Sequence, residues 1–159
     1  MTLVWPIVWA ALAAQSPDSA TKHRYLAALQ AVDDSLSSVR AAGANFRADL
    51  AAASPELIVA RSTRMRDRCA GARAALARLD TVLAVAYSPR AGEPQRALRA
   101  ESVVLAGTMR RCERDWNPAP RVAADSLRAW GPFRVEQLDR AMRRYTARAV
   151  AFRNRTALK

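Results

Sequence analysis

Two cysteines, one histidine and a run of arginines near the C-terminus carry most of the chemistry this 159-residue chain could do. Cys69 and Cys112 are its only thiols. The midpoint of their positions falls inside Ser88-Pro89-Arg90-Ala91-Gly92-Glu93-Pro94, a stretch dense in turn formers. If that stretch joins two antiparallel helices, residues equidistant from it meet at one height. At 1.5 Å per residue each cysteine lies roughly 30 Å from the turn. The spacing therefore predicts a Cys69–Cys112 disulfide. In the chain-entropy picture such a loop contributes roughly 3–4 kcal/mol. No Cys-x-x-Cys motif is present, so the bond is expected to be structural rather than redox-active.

Catalytic and metal chemistry find little to work with. His23 is the single histidine, which excludes Ser-His-Asp and Cys-His sets built without it. A zinc site normally draws on several His and Cys, and the expectation is no metal, no cofactor and no enzymatic activity. A non-covalent haem held between His23 and Met65 or Met142 is the one carrier arrangement the residues allow, and His23 lies off the apolar phase of its helix. The carboxylates are scattered, and Asp33-Asp34 point in different directions on a helix, so they do not form an acid/base pair. There is no Gly-rich phosphate loop.

Positive charge is the feature with functional content. The chain carries 26 basic against 14 acidic residues, a net charge of +12. After Asp139 come Arg140, Arg143, Arg144, Arg148, Arg153, Arg155 and Lys159 with no acid among them. The six arginines are the candidate polyanion-binding residues. Arg61, Arg64, Arg66 and Arg68, with Arg110, Arg111 and Arg114, form clusters expected at the disulfide end, so two basic zones are anticipated. Arginine accounts for 24 of the 26 cations, so a solvated face on an Arg-biased chain competes with this reading.

The elements that must position these residues are helices. Ala supplies 36 residues, Gly only five, and period-two strand patterns are absent. Apolar seams with steps of three and four run through Tyr25–Leu29–Val32–Leu36–Val39, Ile58–Met65–Cys69–Leu76–Leu83, Leu98–Leu105–Met109–Cys112–Trp116 and Val135–Leu138–Met142–Tyr145–Phe152. The pattern predicts an antiparallel up-down four-helix bundle with helices over about 18–42, 55–87, 93–116 and 132–157. Gly43 and Gly131-Pro132 read as breakers, leaving short accessory helices near 46–53 and 121–130. Ser54-Pro55-Glu56 is a helix start with its cap, its first-position proline and its first-turn acid.

Residues 1–14 hold no charged side chain and end in small residues before a polar shift, the pattern of a secretory signal peptide. Cleavage is expected after Ala13 or Ala14, leaving 14–159 as one bundle domain, periplasmic or secreted. The reading that results is a disulfide-stapled binding protein whose partner is an anionic lipid, a polysaccharide or an acidic protein. A cytoplasmic nucleic-acid-binding protein is the alternative if residues 1–13 are not a signal, with binding mostly through phosphates. A haem or small-molecule carrier is the weaker third.

Overall fold

The computed structural model describes residues 17–158 apart from 51, 89–90 and 118–123; the expected signal peptide and its cleavage site lie outside these residues. Four helices follow in order: α1 (Ser19–Asp49), α2 (Pro55–Leu83), α3 (Gly92–Asp115) and α4 (Ala124–Thr156). Pairings such as Asp49 with Arg61, Asp80 with Arg99, Glu101 with Arg144 and Asp33 with Arg153 run in opposite senses along their helices, so every neighbouring pair is antiparallel. The result is the up-down four-helix bundle, and no described helix is long and apolar enough to cross a membrane.

Local chemistry starts the first two helices. Asp18 caps α1 by accepting the Thr21 N–H at 2.6 Å, and the Thr21 hydroxyl first, with this N–H second, holds its carboxyl below the ordinary value. Ser54 caps α2 through the Leu57 N–H, with Pro55 in the first turn. At the far end of α4, Ala157 adopts a left-handed φ of 52° and the Leu158 N–H returns to the Arg153 carbonyl, the six-to-one closure of a Schellman turn.

The four seams are the core. Every residue named on them from spacing is buried. The second helix stops at Leu83 rather than reaching residue 87. The middle of the bundle is lined by small residues such as Ala72, Ala75, Ser62 and Ser102. Each end is closed by aromatics. Tyr25, Tyr87 and Phe152 cluster at the α2–α3 turn, with Tyr25 and Tyr87 centroids 4.9 Å apart. Phe46 meets Trp116 edge-on at 4.7 Å, and Trp116 meets Trp130 at 5.1 Å, at the opposite end.

Two of the expected helix breaks do not occur. α1 runs unbroken through Gly43 to Asp49, and α4 runs from Ala124 through Gly131 and Pro132, so residues 46–49 and 124–130 belong to the ends of long helices instead of forming accessory ones. The reason is packing between α1 and α4. A Cβ on Gly43 would lie 2.9 Å from a Val135 methyl, and one on Gly131 would lie 2.6 Å from Phe46 Cζ. Each glycine is a socket for a side chain of the other helix, and neither has a positive φ. Tertiary contact outweighs the intrinsic preference of Gly and Pro to end a helix.

Gln95, buried on α3, ties the turn end together. Its amide nitrogen donates to the Leu83 carbonyl at 2.8 Å, the Val85 carbonyl at 2.6 Å and Tyr25 Oη at 3.1 Å, while its oxygen accepts the Tyr87 N–H at 2.9 Å. Tyr25 also donates to the Val85 carbonyl. At the other end Arg128 donates to the carbonyls of Leu50 and Ala53, which follow the C-terminus of α1.

Candidate functional site

The disulfide forms as the spacing requires. Cys69 and Cys112 are bonded with Cα atoms 6.1 Å apart, closing a 43-residue separation, and Cys112 floors a cleft between α3 and α4. That cleft, of about 390 Å³, is where the arginines converge. Residues spaced three and four apart share one helix face, so α3 presents Thr108, Arg111, Cys112, Asp115 and Trp116 on one wall. On the other, α4 presents Arg134, Gln137, Leu138, Arg140 and Arg144. Cys112, Trp116 and Leu138 make the floor, while four guanidiniums and one carboxylate ring the opening.

Their partners are few and loosely held. Arg134 reaches Asp115 at 3.4 Å and donates to Gln137 Oε1 at 3.0 Å. Arg140 lies 3.5 Å from Glu136, and Arg144 lies 3.4 Å from Glu101. Arg111 donates to Thr108 Oγ1 at 3.2 Å and has no carboxylate within ion-pair distance among the described residues.

Beyond the cleft the basic surface continues along α4. At about 100° per residue, Arg140, Arg144, Arg148 and Arg155 fall within an arc of about 80°, with Arg143 about 60° to one side. Arg143, Arg148 and Arg155 are exposed and make no ion pair among the described residues. Arg153 falls on the opposite side and pairs with Asp33 at 2.5 Å, so it ties α4 to α1 and leaves the candidate set. Of the other expected zone, Arg61 is held by Asp49 at 2.6 Å and Arg66 by Asp67 and Asn117. Arg64, Arg68, Arg110 and Arg114 are exposed, and Arg111 alone of that zone joins the cleft. Arg134, Gln137 and Thr108 were not singled out from the sequence. Equidistance from the α3–α4 connection would not have found them, because it sets the helix ends Asp115 and Ala124 opposite each other, whereas Asp115 pairs with Arg134.

The haem arrangement is not assembled. His23 is exposed at the start of α1, with Nδ1 on the Ser19 carbonyl at 2.8 Å. Met65 packs beside Gly43, some 30 Å further along α1, and Met142 is buried beside the stretch of α4 that meets Arg40. Among the described residues no three His, Cys, Asp or Glu side chains group as a metal site. Tyr145 is a buried group without a visible task. Its hydroxyl has no hydrogen-bond partner among the described residues, and burial, then the Asp33 carboxylate, push its ionisation far up.

Comparison with protein-family models, with characterised proteins and with solved structures finds no match to this chain.

Proposed function

We propose that this protein is an exported, non-enzymatic helical bundle that acts by binding an anionic partner: lipid head groups, an envelope polysaccharide or an acidic protein. One observation carries the reading. Arg140, Arg143, Arg144, Arg148 and Arg155 spread along one broad face of α4, and that face opens into the α3–α4 cleft with Arg111 and Arg134. A row of guanidiniums at helical spacing attracts an extended anion along its length, and the attraction is screened by salt.

Export is supported by the disulfide, because such bonds persist in oxidising compartments and are rare in the cytosol. The uncharged residues 1–13 agree with it. The oxidised core of small residues also gains from a covalent link that a larger apolar core would not need.

The test is retention on immobilised heparin and on anionic vesicles, comparing the wild type with Arg143→Gln, Arg148→Gln and Arg155→Gln combined. Gln keeps the helix, being nearly as good a helix former as Arg. Earlier elution at moderate salt supports the reading; unchanged retention contradicts it. For export, the intact mass from the native host should begin at Ala14 or Gln15 with both thiols oxidised. A chain retaining Met1 in a cytoplasmic fraction would favour the nucleic-acid reading instead.

A further inference from the structure

The ion pairs of this bundle differ in how closely they are held. Arg61–Asp49 at 2.6 Å, Arg99–Asp80 at 2.7 Å, Arg153–Asp33 at 2.5 Å and the two-pronged Arg73–Glu113 pair are close, and each joins two helices or a helix and its neighbour. Among the described residues the pairs at 3.4–3.5 Å are four, and three of them hold cleft arginines: Arg134, Arg140 and Arg144. Exposed pairs at that separation contribute little, about 0–1 kcal/mol, and are readily exchanged for a better acceptor. Arg111 has no carboxylate to give up among the described residues. Three of the loosely paired guanidiniums, and Arg111 beside them, are therefore gathered round a single cavity.

We propose that the cleft between α3 and α4 binds a phosphomonoester group, with Arg111 and Arg140 reaching it from opposite walls. The inference rests on the anionic-partner reading and names where and what. A phosphomonoester carries close to two negative charges and three strong acceptor oxygens around a tetrahedral centre. Guanidinium forks donate to such oxygens in pairs, which a point cation cannot match. Forks arriving from two helices suit a three-oxygen group better than a planar carboxylate, whose two oxygens face one way. The cavity exceeds the phosphate itself and lies within the usual range for small-molecule sites. Its floor of Trp116 and Leu138 accommodates the portion that the phosphate esterifies. The same chemistry is offered by a soluble phosphoester and by a lipid such as phosphatidic acid.

The experiment is calorimetric titration of the oxidised full chain with inorganic phosphate and with glycerol 3-phosphate, alongside flotation with phosphatidylcholine vesicles containing either phosphatidic acid or phosphatidylglycerol. Saturable binding of the soluble phosphates is expected, together with a preference for phosphatidic acid over the diester lipid if the cleft is reached from a membrane. Arg111→Gln with Arg140→Gln should weaken phosphate at least about tenfold, since each removes a charge-assisted fork. Arg78→Gln with Arg96→Gln removes the same charge from exposed positions outside the cleft and should change it less than about twofold. Should the cleft double variant lose helicity, Arg111→Gln alone serves, because among the described residues that side chain bonds only to Thr108. Absence of saturable phosphate binding, or equal losses in the two double variants, would overturn the proposal. If phosphate fails while heparin retention still depends on Arg143, Arg148 and Arg155, this inference falls and the broader reading stands; if both fail, both fall.

Discussion

Replacing glycine by alanine at four helical positions should give opposite signs from one chemical change. In an open helix interior the replacement gains about 1 kcal/mol from helix propensity. Gly71 and Gly107 have nothing within 4 Å of an added Cβ, so each Ala there should stabilise by about 0.5–1 kcal/mol. Gly131 is the contrary case. Its added methyl would sit 2.6 Å from Phe46 Cζ, closer still to Cε1, and 3.4 Å from Trp116 Cη2. The Phe46 ring cannot swing clear, since it is fully buried and lies edge-on to Trp116. Overpacking of this kind costs about 1–3 kcal/mol. Contacts this short belong to the upper half of that range, so against a propensity gain of about 1 kcal/mol Gly131→Ala should destabilise by about 1–2 kcal/mol. Gly43→Ala meets the ends of flexible side chains, Val135 Cγ1 at 2.9 Å and Met65 Cε at 3.2 Å, and should come out near zero. The assay is thermal unfolding of the oxidised protein followed by circular dichroism at 222 nm, where 1 kcal/mol shifts the midpoint by about 2–4 °C at this length. If Gly131→Ala raised the midpoint as Gly71→Ala does, the socket between α1 and α4 would be refuted.

Other outcomes follow from the same packing. Gln95→Leu should cost about 2–4 kcal/mol in the same melt, because it strands the Tyr87 N–H and the Leu83 carbonyl in a buried turn. Reducing the Cys69–Cys112 bond should remove about 4 kcal/mol, lowering the midpoint by roughly 10 °C or more while helicity survives below it. Tyr145→Phe should be neutral or stabilising at pH 7, since the hydroxyl it removes has no partner among the described residues. Tyr145 ionises less readily folded than unfolded, so its contribution is complete below about pH 10 and is lost as pH rises toward the higher folded value. Urea titrations from pH 9 to 11.5 should accordingly show a shallower alkaline loss in the phenylalanine variant.

The fold was legible because burial on helices is periodic. Every seam residue of α3 and α4 named from spacing is buried, and the cysteine register needed only the position of one turn. Gly43, Gly131 and Pro132 misled because a glycine that ends a helix and one that admits a neighbour's side chain look the same in one dimension. What separates them is Phe46 and Val135 on a different helix. Arg153 was grouped with its neighbours by sequence proximity, whereas the helix turns it toward Asp33. Gln95 gave no signal, since a polar residue after a Gly-Glu-Pro start reads as solvent-facing until the turn carbonyls fold over it. The α4 arginines were visible as a charge run, but the cleft needed Arg111 and Thr108 from α3 to be set opposite them.

Binding of heparin as a function of salt tests the central claim most directly. Affinity for the oxidised wild type should fall linearly on a double-logarithmic plot between about 50 and 200 mM salt. The Arg143→Gln, Arg148→Gln, Arg155→Gln variant should bind more weakly at low salt, with a slope reduced by about one for each guanidinium in contact. Arg78→Gln with Arg96→Gln should leave the slope where it was. An affinity and slope that respond equally to both sets, or to neither, would mean that the arginine face of α4 is solvated surface and not the place where the partner binds.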